Sequence, residues 1–141
     1  MAHPMMFDDA DPLLRRVRKI CLAMPGADEK ISHGRPTFFT TKVFASYGGS
    51  VKGDHSSDEY GYAVLFKPDD GEHEALLTEE RCFTPAYVGA YGWLGWNLRA
   101  DRGFAALDWD EVAELVDMSY RNTAPKKLVA ELGPCVPHRD A

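Results

Sequence analysis

Ser32 and His33 stand side by side in the stretch ISHGRPTFF, a hydroxyl beside an imidazole. Those are the residue types that a nucleophile and its general base require. The stretch predicts a strand, however, and neighbours on a strand point to opposite faces, so the two cannot form the hydrogen bond that activates a serine. No G-x-S-x-G elbow surrounds Ser32 either. Turn chemistry explains the segment without a catalytic role: Gly34 and Pro36 make a tight turn, and His33 ends a strand with a bond to backbone. Phe38, Phe39 and Phe44 are then core or sheet-face residues. A small-molecule pocket beside His33, Arg35 and Trp93 requires those three groups to converge in one cleft.

Metal and cofactor chemistry find less support. DDGEHE offers carboxylates and His73, but its glycine is misplaced for a calcium loop and no H-E-x-x-H spacing occurs. A capped helix start accounts for the cluster, and His55 falls in a polar loop. In VGAYGWLGW the glycines 89, 92 and 95 are three apart, which is not G-x-G-x-x-G, and no helix follows to meet a phosphate. Neither a metal nor a cofactor is expected.

Nucleic-acid binding would draw on Arg15, Arg16, Arg18 and Lys19, which gather on one face of a predicted helix. They could follow a phosphate backbone, joined by Lys42, Lys67, Arg81 and Arg99 if the fold brings these near. Tyr91 and Trp93 could stack on bases, a contact worth about 1–3 kcal/mol each. The competing reading is a solvated helix face, or one paired with the acidic face of the 108–122 helix in the same or a neighbouring molecule.

Those residues depend on elements that the sequence marks. Asp11 and Pro12 are an N-cap and first helical residue, and Leu13, Leu14, Val17, Ile20, Cys21 and Met24 recur at helical spacing until Pro25-Gly26 stops them. Strands are expected at Glu29 to His33, Thr37 to Thr40, Val43 to Tyr47 and in YAVLF at 62–66. Asp69 caps a middle helix through DDGEHEALLTEE. A second β section runs from CFTPAYVGAY into GWLGWNLR, where alternation sets Leu94, Trp96 and Leu98 toward the core and Trp93, Asn97 and Arg99 away from it. Asp108 caps the helix WDEVAELVDMSYRNT, with Asp110, Glu111, Glu114 and Asp117 outside and Ser119 counted on the apolar side. Pro125 opens a last short helix that ends at Gly133. Hairpin-length connections imply an antiparallel sheet of short strands flanked by N-terminal, middle and C-terminal helices, an α+β fold. We expect one domain over 1–141, with a core of about 11–133.

The chain of 141 residues can bury a substantial core, and its 45% hydrophobic and 27% charged content is that of an ordinary globular protein. No apolar run approaches the roughly 18 residues of a membrane helix, and the N-terminus lacks a signal pattern. No membrane association and a cytoplasmic location are expected. Three cysteines without C-x-x-C spacing argue against a disulfide framework or structural zinc, leaving idle thiols at Cys21, Cys82 and Cys135. A net charge of −6 runs against a dedicated DNA binder.

The ordered set MPGADEKISHGRPTFFTTKVFA, LFKPDD, PAYVGAYGWLGWNL, DWDEVAELVDMSY and APKKL resembles the MmcQ/YjbR family over about residues 13–130. That resemblance implies a compact α+β domain similar to the double-wing fold and a DNA-binding role. Other branches carry a basic residue ahead of the tryptophan, where this chain has Tyr91 and Gly92 before Trp93. Three readings follow: a non-enzymatic nucleic-acid-binding protein, a protein-interaction module that could dimerise, and a small-molecule binder. An enzyme is the least supported, since no nucleophile–base pair, metal set or phosphate loop emerges.

Overall fold

Asp11 opens the fold in the computed structural model, which describes residues 6–54 and 59–134, so that His55 and Cys135 lie outside it. The Asp11 carboxylate accepts from the Leu13 N–H at 2.9 Å and starts helix α1, Pro12–Leu22. The same side chain accepts a hydrogen bond from the Tyr47 hydroxyl, tying the helix start to the sheet. Burial, together with that bond to Asp11, raises the Tyr47 hydroxyl well above the phenol range.

Six strands follow: β1 Asp28–Ser32, β2 Arg35–Phe39, β3 Val43–Tyr47, β4 Ala63–Phe66, β5 Cys82–Phe83 and β6 Leu94–Asn97. All pairings are antiparallel, in the order β1-β2-β3-β4-β6-β5. Helix α2 covers His73–Leu77, α3 Trp109–Thr123 and α4 Lys126–Leu132. This is the expected α+β class. Helix α3 has the expected bounds, with the Asp108 carboxylate accepting from the N–H groups of Asp110 and Glu111.

The row Phe38, Ala45, Phe66 and Leu94 crosses four strands in register and is buried against Leu14 and Val17 of α1 and Val112, Val116 and Tyr120 of α3. Leu94, Trp96 and Leu98 all lie in this core, as alternation required. Phe44 is an extra residue in β3: Ala45 pairs with Phe38 and Val43 with Phe39, so Phe44 and Ala45 both turn to the core. That is a β-bulge. Ser119, fully buried, explains its place on an apolar face: its hydroxyl donates to the Phe44 carbonyl at 2.5 Å and accepts from the Lys67 N–H at 2.8 Å.

Elsewhere the local reading and the structure part. Asp69 does not cap a helix; its carbonyl accepts from the Glu72 N–H, and α2 begins only at His73 without a side-chain cap. CFTPAYVGAY is strand for two residues only, because Pro85 interrupts the ladder and Val88–Tyr91 coils into a 3-10 turn. Asp117 is buried rather than outward, accepting from Arg121 at 2.6 Å, and the Arg121 guanidinium also donates to the Gly133 carbonyl behind α4. His33 is not a strand end. With Gly34 it forms the two-residue loop between β1 and β2, at φ 53° and 80°, the two positive values of a type I′ hairpin.

The thiols behave as burial dictates. Cys21 is fully buried and its thiol is pushed far above the usual range; Cys82 is pushed up to about 11 by burial, with Glu79 adding to the shift. In a Cys135→Ser background at about pH 8, a disulfide reagent is expected to label Cys82 about a hundredfold more slowly than an ordinary thiol, the thiolate share falling about tenfold per unit. Cys21 should react only on unfolding. Rapid labelling of either in the folded protein would contradict the packing.

Candidate functional site

The opposite face of the sheet carries a second in-register row, Thr37, Ser46, Leu65, Gly95 and Phe83. Among the described residues no α-helix covers its middle. The segment after β5 does: the Ala86 N–H donates to the Ser50 carbonyl at 2.8 Å, and Trp93 and Val88 pack on a small cluster of Ala63, Leu65 and Phe83. Between this segment and the β1–β2 hairpin lies a cleft of about 830 Å³, a size typical of ligand sites. Met6, whose N–H donates to the Gly34 carbonyl at 2.9 Å, lies at its hairpin end.

Arg35 is the cation of the cleft wall. It sits on β2 two residues before Thr37 and therefore on the same face. Its guanidinium rests over the backbone of Gly48: a Cβ built there would lie 2.2 Å from Nη1. Burial lowers its pKa from the ordinary guanidinium value, and among the described residues no carboxylate offsets that shift. None of the ion pairs among the described residues includes Arg35. Ser32, His33, Thr37, Ser46 and Ser50 supply further polar lining, and Leu65, Pro85, Val88 and Trp93 the apolar part.

Tyr87 stands at the rim, 78% exposed, with φ 64° and ψ −72°. The Val88 N–H donates to the Ala86 carbonyl at 2.8 Å across it, which makes a γ-turn of the strained kind. Gly95 lets the floor close: a Cβ on it would meet the Phe83 ring at 2.3 Å. Gly92, at φ 88°, leaves room for the Lys67 ammonium, which donates to the Tyr91 carbonyl at 2.9 Å. The three-residue glycine spacing in VGAYGWLGW therefore reflects turn and packing demands.

The expected site residues divide sharply. His33, Arg35 and Trp93, sixty residues apart in sequence, line one cleft. The cations of α1 lie on the other side of the sheet, where α1 packs against β3. Arg15, Arg16 and Lys19 are exposed, with the Arg16 guanidinium 5.0 Å over the Trp109 ring. Arg18 is engaged: it donates twice to Glu29, at 2.8 and 2.9 Å, and once to Asp9 at 3.0 Å. Its acidic partners thus come from β1 and the N-terminal segment rather than from α3. Lys42 is exposed in the β2–β3 turn, and Tyr91 is exposed away from any stacking partner among the described aromatic pairs. Arg99 grips Asp101, whose carboxyl is held below the usual range by that hydrogen bond. Arg81 is buried, donating to the carbonyls of Asn97 and Ala105, a structural tie. Sequence reasoning missed Ser46, Gly48, Leu65 and Val88; the Gly48-Gly49 pair was the sole local sign of a close approach.

Fold and cleft together define an α+β protein built on one antiparallel sheet, with two helices against one face and an open cleft on the other. A family model described as YjbR matches residues 22–122, more than half of the chain. The chain belongs to the YjbR family. It is similar in fold to the crystal structure of the Deinococcus radiodurans protein DR2400, family-model domain DUF419: TM-score 0.60, 17% identity, covering 86% of this chain and 88% of that one. No curated protein matches the chain.

Proposed function

We propose that this member of the YjbR family is a small-molecule-binding protein whose ligand carries a negative charge and seats in the cleft between the β1–β2 hairpin and the 84–93 segment. One observation carries the reading: Arg35 presents a partly buried guanidinium, without a carboxylate partner among the described residues, to a largely apolar cleft. A desolvated cation lacking a countercharge is destabilising in isolation, and an anionic ligand supplies the missing partner. The test is titration with anilinonaphthalene sulfonate, an aromatic anion that brightens in apolar surroundings. Saturable one-to-one enhancement in the wild type and its loss in Arg35→Glu is expected. No enhancement, or enhancement indifferent to Arg35→Glu, removes the reading.

Nucleic-acid binding is the second reading, favoured by the exposed cations Arg15 and Lys19 on α1 and Lys42 on its hairpin turn. It competes with a net charge of −6 and with the engagement of Arg18. Fluorescence anisotropy of a labelled duplex at about 50 and 200 mM salt tests it, because phosphate contacts weaken steeply over that range. Salt-sensitive binding that disappears in Arg15→Glu/Lys19→Glu supports it. Docking to a protein partner or self-association through the same helix face is the third, and predicts concentration-dependent association. A chain acting as one domain over about 11–133, in the cytoplasm, belongs to the same proposal. Among the described residues no helix is long and apolar enough to cross a membrane.

A further inference from the structure

The cleft is graded. On the strands at its hairpin side, β2 and β3, it offers Arg35, Thr37 and Ser46, with Val43 and Met6 beside them; on β4 and beyond its side chains are the apolar Leu65, Val88 and Trp93. The register fixes this order, since Thr37, Ser46, Leu65 and Gly95 follow one another straight across the sheet. Strands lie about 4.8 Å apart, so the step from β2 to β4 is about 10 Å, and Trp93 and Val88 continue the wall beyond it. Gly95 lies under the Phe83 ring, so the open path ends at Leu65, Val88 and Trp93.

The charge count narrows the head group. Among the described lining residues Arg35 is the lone Lys or Arg, none is acidic, and none comes from an α-helix. Phosphate sites gather several cations, a helix N-terminus or a nest of N–H groups. A single guanidinium offers a planar fork that matches one carboxylate, two N–H groups to two oxygens. The hydroxyls of Thr37 and Ser46 lie on the same polar side; Thr37 donates to the Arg35 carbonyl at 3.2 Å, which commits its proton and leaves Arg35 as the charged donor to an anion.

We propose that the ligand is a monocarboxylate with an elongated acyl or aryl body, its carboxylate on Arg35 and its body lying across β3 and β4 toward Trp93. This rests on the cleft being a ligand site and specifies what fills it. With the continuation to Val88 and Trp93, the path accommodates a medium-chain body such as that of decanoate.

Calorimetric titration with decanoate, decanol and decyl phosphate tests the assignment, on the wild type, Arg35→Lys and Arg35→Met, each checked for a urea midpoint no lower than that of the wild type. Decanoate should bind one to one, at least tenfold more tightly than decanol. Arg35→Met should abolish that difference, and Arg35→Lys, which keeps the charge and loses the fork, should fall between. Trp93 fluorescence should change with decanoate and stay silent in Trp93→Phe. Decyl phosphate binding more tightly than decanoate, or decanol binding equally well, overturns the carboxylate assignment while anilinonaphthalene sulfonate still reports a working cleft. If that reporter fails as well, the binding reading falls with it.

Discussion

Phe44→Ala destabilises the fold by about 3–5 kcal/mol, the range for deleting a buried phenylalanine. Phe44 is 0% exposed and sits edge-to-face on Tyr120, with ring centroids 5.3 Å apart. Its position in the bulge makes collapse around the cavity difficult. The Phe44 carbonyl is held by Ser119, which also holds the Lys67 N–H, so the backbone cannot drift inward without breaking bonds that link α3 to two strands. Tyr120 is anchored too, its hydroxyl donating to the Pro25 carbonyl at 2.6 Å. Urea unfolding reads the effect; a drop of less than about 1 kcal/mol would mean that the site relaxes as an ordinary surface position does. Tyr91→Ala, at a position 77% exposed, serves as the control that should leave the midpoint in place.

Gly48→Ala impairs the cleft and the fold together. At φ 86° an alanine is strained by about 1–2 kcal/mol, the penalty of left-handed backbone for a residue with a Cβ. The added methyl also lies 2.2 Å from Arg35 Nη1 and 3.0 Å from the Gly61 carbonyl oxygen. Carbonyl oxygen is part of the backbone and yields little, so the guanidinium is the group that moves. Binding of an anionic probe should fall at least tenfold. In the double variant Gly48→Ala/Arg35→Met the steric part of the destabilisation should lessen while binding stays lost, a non-additivity that marks direct contact. Full additivity would separate Gly48 from Arg35.

What was legible in the sequence was what neighbours along the chain decide. Asp11, Pro12 and Asp108 set helix starts, and alternation placed Leu94, Trp96 and Leu98 in the core. The failures share a cause. At 82–91 the β-forming residues suggested a strand, but the chain there has to leave the sheet, reverse at Tyr87 and return as β6 between β4 and β5. That demand comes from topology, and nothing local to Tyr87 announces a positive φ. The cleft is of the same kind. His33 and Arg35 meet Trp93 only because β6 pairs with β4, and the α1 cations are separated from them by the thickness of the sheet. Side-chain types could nominate His33, Arg35 and Trp93; only strand order could unite them.

Among the described residues the strand order also leaves two unpaired margins, one along β1 and one along β5. An open margin is a template on which another chain can add a strand and start a fibre. Here β5 offers only Cys82 and Phe83, too short a seam to recruit a neighbour. β1 is longer, but Asp28, Glu29 and Lys30 place consecutive charges along it. The Arg18 guanidinium holds the Glu29 carboxylate by two hydrogen bonds, which keeps that charge fixed beside the margin. The fold is thereby guarded against growth by sheet extension, and copies that assemble would meet through helices or the cleft rim.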